Sequence, residues 1–276
     1  MKLRVVELLL VTTVPTMVLA EGGWPSIQLM AITLIGGTLA AGGANAINMY
    51  IDRDIDKLMV RTQNRPLVTG ALSPRAAMIF AIGLEIVAFL VLWAGANLLA
   101  AVLAVSATLF YVFVYSLWLK RTSKQNIVIG GAAGAMPVLV GWAAVTNSLG
   151  WAPVVLFIVI FLWTPPHFWA LAIRHADDYK AAGVPMMPVV VSLERTVRSM
   201  TTYAVLLTLS TLVLVPVAEL GWIYGITALV FGVAFVIGSV RLGSDPSPKR
   251  SMRLFTFSIT YVTAVFVALT VDVLLR

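Results

Sequence analysis

Residues 45–67 read NAINMYIDRDIDKLMVRTQNRPL, and their charge pattern decides how the rest of the chain is read. The stretch follows an apolar run, yet it places Asp52, Asp54 and Asp56 within five residues and then adds Arg61 and Arg65. The chain around it is poor in charge. Of its 276 residues, 60% are hydrophobic and 11% charged, whereas soluble domains run at about 45–50% and about 25%. That composition defines an all-α, polytopic membrane protein. The seven excess positive charges are then read as loops facing an anionic leaflet, not as a surface for nucleic acid. No cysteine is present, so disulfide frameworks, zinc-finger spacings and thiol nucleophiles are excluded.

Working outward, nine segments approach the roughly 20 mainly apolar residues that a transmembrane helix needs. They run over 4–20, 25–50, 74–93, 97–118, 126–146, 151–172, 199–218, 222–240 and 254–274, one transmembrane domain over 1–276. The first carries Glu7 and Pro15 and lacks a small-residue cleavage site, so it is read as a span, not a cleaved signal. Connections near 21–24, 94–97, 147–150 and 219–221 contain no Lys or Arg. The longer ones on the other side, with Lys2 and Arg4, hold every one of the 19 Lys and Arg except Arg276. The positive-inside rule makes that side cytoplasmic and predicts the N-terminus inside and the C-terminus outside. The start of the chain shows no Arg- and Ser-rich, acid-poor presequence, so the membrane expected is a prokaryotic plasma membrane. Runs such as Gly36-Gly37, Ala40 to Ala44 and Gly130 to Ala135 suit close helix packing, or room for a slim apolar ligand.

Asn48, Asp52 and Asp56 recur every four residues, which on a helix continuing from the second span stacks them on one face. Like charges at that spacing repel, so the pattern is poor for stability and good for a hard cation. Mg2+ takes one or two carboxylates, waters and substrate phosphates. Asp54 sits about 200° round from Asp52 at roughly 100° per residue and is the weaker ligand. Arg53, Lys57, Arg61 and Arg65 form a second four-spaced series, and Pro66 is expected to end any helix there. An ordinary self-neutralising loop explains one such cluster, but a second follows the sixth span. HFWALAIRHADDYKAAGVPMMPV, from His167, places Arg174, His175, Asp177, Asp178 and Lys180 together. The two clusters predict a site for two Mg2+ ions, or for one ion and a diphosphate, with Lys120, Arg121 and Lys124 closing a basic ring. A lipid diphosphate fits it, head at the rim and tail among the helices.

These residues resemble the UbiA-type intramembrane prenyltransferases, whose first motif is an Asn followed by two Asp at four-residue spacing, as in Asn48, Asp52 and Asp56. The likeness runs from Val5 to the last span. It is sharpest to the branch that farnesylates haem, in NMYIDRDIDKLMVRTQNRPLVTGALSP, YSLWLKRTSKQNIVIGGAAGAMPVLVGW and WTPPHFWALAIRHADDYKAAGVPMMPVV. Where other branches carry a second DxxxD before a Gly, this chain has His175 and Tyr179 before Gly183, with Asp177 and Asp178 between them. Its N-terminus, MKLRV, is shorter than the Lys-Pro-Arg opening usual there, as a different start site or a truncation would leave it.

The resemblance implies farnesyl diphosphate and haem b as substrates and Mg2+ as cofactor. Haem A synthase or terminal-oxidase assembly factors are the partners it points to. It implies Asp52 and Asp56, with Asp177 and Asp178, as metal ligands. Asn48, Arg61, Arg65, Lys120, Arg121, Arg174, His175 and Lys180 would contact diphosphate, and Asp52, Asp56 and His167 would be catalytic. His167 lies inside the sixth span, where an ionisable residue is costly and often functional. Holding haem, orienting water and bonding a carbonyl freed by Pro165-Pro166 all remain open for it. Trp163, Phe168, Trp169 and Tyr115 are open to cation stabilisation or plain packing. A prenyltransferase with an aromatic quinone precursor as acceptor is the first alternative. A transporter is the second, and it fits less well because only Glu85 is an acid deep within a span.

Overall fold

The computed structural model describes residues 3–245 and 247–276, with the side chains of residues 3–10 outside that description. Lys2, and the side chains of Arg4 and Glu7, therefore lie outside the described residues. The described residues form helices and turns. The long helices are α1 (Leu3–Glu21), α2 (Ile27–Ile51), α3 (Pro74–Gly95), α4 (Leu98–Thr122), α5 (Asn126–Thr146), α6 (Trp151–Arg174), α7 (Leu193–Val217), α8 (Trp222–Ser244) and α9 (Pro248–Leu274).

From α2 to α9, eight are long and apolar enough to cross a membrane. The expected segment 4–20 coincides with α1; its crossing, and the sides on which the termini lie, belong to the proposal below.

Local chemistry fixes the ends. Ser73 Oγ accepts from the Ala76 N–H at 3.1 Å, and Asn97 Oδ1 from the Ala100 N–H at 2.9 Å, satisfying donors that a helix start leaves free. Pro74 and Pro248 occupy first-turn positions, where a missing N–H costs nothing. Asn147 closes α5 with φ 50°, in the left-handed region that Asn tolerates. The Pro165-Pro166 pair does not break α6, which runs through it unbroken.

Helices consecutive in the chain pack side by side, and α6 lies deepest, against α5, α7 and α9, while α1 fits between α5 and α9. Glycine sets the closest approaches. A Cβ on Gly43 would stand 2.5 Å from Glu85 Oε1 and 3.0 Å from the Ala81 carbonyl. One on Gly131 would meet the Thr164 side chain at 2.9 Å. The small-residue runs therefore serve packing, although Gly134 faces open space. Outward faces are apolar, as on α3, where Ile79, Phe80, Ile86 and Trp93 are exposed. That is what a hydrocarbon solvent selects.

Within α4, Phe110–Leu119 winds as a π-helix, and the Lys120 N–H reaches back five residues to the Tyr115 carbonyl. Wide turns of this kind recur at functional sites because they re-aim the side chains that follow. Here they aim Ser116 and Lys120 at the end of α2.

Candidate active site at the charged rim

α2 ends at Ile51, but its hydrogen-bond spacing continues. The Asp52 N–H donates to the Asn48 carbonyl at 2.9 Å, and the Asp56 N–H to the Asp52 carbonyl at 2.8 Å. Asn48, Asp52 and Asp56 thus form one ladder, and all three are buried, at 3%, 0% and 2% exposure. Buried carboxylates need partners. Asp52 Oδ2 accepts from Asn48 Nδ2 at 2.7 Å and pairs with the Lys120 ammonium, while Arg121 stands 3.8 Å from Oδ1. Asn48 Nδ2 also donates to Ser116 Oγ at 3.0 Å. Asp56 pairs with Arg65.

Asp54 points elsewhere, as its angle round the helix predicts. It is largely exposed and receives two bonds from Arg121, both 2.7 Å. The Arg121 guanidinium beside it brings the Asp54 carboxyl down to about 2.

The basic series does not form a helical face. Helix gives way to irregular turns after the short Arg53–Asp56 segment, so the four-residue spacing of Arg53, Lys57, Arg61 and Arg65 loses its meaning. Arg53 folds back over the Tyr50 ring, at 4.5 Å. The helix expected to stop at Pro66 has already ended at Asp56, and Pro66 opens a short helix, Pro66–Thr69. Its fixed φ suits a first helical position.

The second cluster meets the first through different atoms from those expected. Tyr179, buried, accepts a 2.9 Å bond from Arg61, whose guanidinium also lies 4.8 Å from the centre of that ring. Asp178 Oδ1 accepts from the Val60 N–H at 3.4 Å, and Asp178 Oδ2 stands 3.8 Å from His175 Nδ1. Burial, then the charge of Arg61, pushes the His175 imidazole below its ordinary range. Gly183, at φ 64°, ends this segment in a conformation that a side chain would strain. Asp177, Lys180 and Arg174 are exposed, and no hydrogen bond or ion pair joins them to the ladder among the described residues. Arg174 instead lines a groove of about 860 Å³ with Lys249 and Arg253. Among the described residues, the two clusters do not converge into a three-carboxylate cage.

His167 sits deeper on α6 and is buried. Among the described residues it bonds neither a backbone carbonyl nor a residue of the rim: its Nδ1 lies 2.6 Å from Ser258 Oγ on α9. Trp163 and Phe255 stack on its two faces, with centroids at 4.1 and 4.4 Å. Ser116 and Ser258 escaped the sequence reading. Neither stands out from the hydroxyl and apolar residues around it, and only the neighbouring helix gives it meaning. Tyr179 was visible there only as a mismatch to the second motif.

Asp52 Oδ1 is buried and accepts no hydrogen bond among the described residues. A buried, unbonded carboxylate oxygen beside a second carboxylate and an amide is the donor set that Mg2+ accepts together with phosphate oxygens, so these residues fit that ion.

A buried acid–amide ladder, capped by cations at one end of an apolar helical bundle, defines a class: an intramembrane enzyme that handles an anionic head group on a lipid tail. The chain belongs to the UbiA prenyltransferase family, whose model matches residues 9–263. It is 54% identical to the protoheme IX farnesyltransferase of Frankia casuarinae, over 99% of this chain and 96% of that one. In fold it is similar to a digeranylgeranylglyceryl phosphate synthase, with TM-score 0.82, 18% identity and coverage of 99% and 95% of the two chains. It is also similar to a UbiA homologue from Archaeoglobus fulgidus bound to DMAPP and Mg2+, with TM-score 0.71, 19% identity and 98% of each chain covered.

Proposed function

We infer that this chain transfers a farnesyl group from farnesyl diphosphate to a vinyl group of haem b, with water completing a hydroxyethylfarnesyl side chain. One observation supports the choice of acceptor: the likeness to a protoheme IX farnesyltransferase, at 54% identity, runs the length of both chains.

Asn48, Asp52 and Asp56 hold the head group. The cations that neutralise the ladder, Lys120, Arg121 and Arg65, are also those available to diphosphate oxygens, and Arg61 and His175 extend the set. Arg174 and Lys180 are the outermost contacts in this reading, and Asp177 and Asp178 are second ligands. Mg2+ held by Asp52 and Asp56 would supply charge neutralisation for the leaving diphosphate. Oriented cations in a water-poor site do the same, and single groups of this kind contribute about 10²–10³-fold in rate. The tail lies among the helices in this reading, and Tyr111 and Tyr115 stack on one another at 5.4 Å within α4. His167 acts on the acceptor side.

The charged rim faces the cytoplasm of a prokaryotic plasma membrane, with α1 as a ninth crossing. Haem A synthase and terminal-oxidase assembly factors are the partners this chemistry implies.

A pair of titrations on purified variants tests the division of labour: haem by its Soret band, and a non-hydrolysable farnesyl diphosphate analogue by calorimetry with Mg2+. Asp52→Ala is expected to lose analogue affinity and keep haem. His167→Ala is expected to keep analogue affinity and lose haem binding or transfer. Equal loss of analogue affinity in both variants, with haem binding unchanged, would place His167 in the diphosphate site and overturn the division.

A further inference from the structure

Two distances at Ser258 Oγ fix a proton. Ser258 Oγ lies 2.6 Å from the Phe255 carbonyl oxygen. Two oxygens that close need a proton between them, and a carbonyl has none to give, so the serine hydroxyl donates there. The same Oγ lies 2.6 Å from His167 Nδ1. With its one proton committed, Oγ is the acceptor in this contact, and Nδ1 carries the hydrogen. The neutral imidazole then has its lone pair on Nε2, which has no hydrogen-bond partner among the described residues.

Ser258 also fixes the ring's direction. Its backbone carbonyl accepts the indole N–H of Trp163 at 2.8 Å, and that indole covers one face of the imidazole while Phe255 covers the other. Trp163 and His167 are four apart on α6 and lie on one face. One residue of α9 thus bonds both, and the imidazole can neither flip nor tilt without breaking a bond or a stack.

The proposed reaction needs such a group. The C1–O bond of farnesyl diphosphate breaks and its electron pair leaves with the diphosphate. The vinyl π pair forms the new bond to C1, leaving a cation on the vinyl carbon next to the macrocycle. Water then adds through an oxygen lone pair and must lose a proton. Without an aligned acceptor for that proton, the cation instead loses a carbon-bound hydrogen and ends as an alkene. We propose that Ser258 is a positioning residue for this last step: it holds the Nδ1–H tautomer of His167, so that Nε2 takes the proton released when water adds. The inference rests on the haem-farnesylating reading above, and its test separates the two.

Nitrogen-15 NMR of the wild-type protein reads the tautomer with no variant and no turnover. His167 is expected as Nδ1–H, and an Nε2–H ring would overturn the proposal. Ser258→Ala, Ser258→Thr and wild type are then assayed for haem products by mass spectrometry. Ser258→Ala is expected to lower kcat about tenfold at unchanged KM for farnesyl diphosphate. It should also divert product to the alkene, lighter by one water, and Ser258→Thr should restore the alcohol. A lower kcat with an unchanged alcohol-to-alkene ratio would overturn the proposal. So would a His167-dependent axial-ligand signature on haem, which would make His167 an iron ligand. If wild type makes no farnesylated haem while the tautomer is as stated, the reading of the reaction fails and the geometry of Ser258 stands.

Discussion

Arg61 donates to the Tyr179 hydroxyl at 2.9 Å and lays its guanidinium over the same ring, joining the loop after α2 to the loop after α6. Two acidic loops that would repel are thus tied by one cation and one phenol. Tyr179→Phe keeps the stacking and loses the bond. A hydrogen bond to a charged group contributes about 1.5–3 kcal/mol, so KM for farnesyl diphosphate should rise by roughly ten-fold or more, with kcat little changed. Tyr179→Ala should raise it further. Steady-state kinetics decide, and an unchanged KM in both variants would show that the two loops work independently.

The acids of the first cluster should separate by burial. Asp52 and Asp56 are buried in the ladder, whereas Asp54 is largely exposed and clamped by Arg121. Asp52→Asn and Asp56→Asn should each cut kcat by at least about 10²-fold, the scale of a lost charge-stabilising group. Asp54→Asn should cost less than either. If Asp54→Asn were the most damaging of the three, the ladder would not be the head-group site.

His175 should be uncharged at pH 7. Burial and then Arg61 lower its pKa, while Asp178 works in the opposite sense, so protonation waits for a pH below the ordinary value of about 6.5. Arg61→Gln removes one repulsive charge and should move the midpoint up. Asp178→Asn removes the attractive one and should move it down. The chain has two histidines, so imidazole NMR resonances are readily assigned. Identical midpoints in all three proteins would mean that neither group faces His175.

Reporter fusions after residues 123, 190 and 247 should read cytoplasmic, and those after 22, 148 and 220 external. A cytoplasmic signal at 148 would break the arrangement, and one at 22 would remove α1 as a crossing.

Most of the fold was legible because lipid imposes a simple rule: long apolar runs become helices. Their ends were less so: α7 starts at Leu193 and α9 at Pro248, each six residues before the expected 199 and 254, because Ser192 and Ser247 cap polar first turns that carry no apolar signal. The Asn48–Asp52–Asp56 ladder was legible because helical hydrogen bonds persist past Ile51 and preserve the four-residue period. The period misled at Arg61 and Arg65, where the chain turns and each guanidinium finds its own partner, Tyr179 and Asp56. Ser116 needed the π-helical winding of α4 to reach Asn48, and Ser258 needed α9 against α6. Those are contacts between helices, and spacing within one segment does not encode them.

The central claim is the acceptor. Membranes containing this chain are supplied with haem b, farnesyl diphosphate and Mg2+, and the haem fraction is weighed by mass spectrometry beside an Asp52→Asn control. The account predicts a haem heavier by one hydroxyfarnesyl group with the wild-type chain and none with the control. Unchanged haem, together with farnesylation of an aromatic quinone precursor offered in its place, would contradict it.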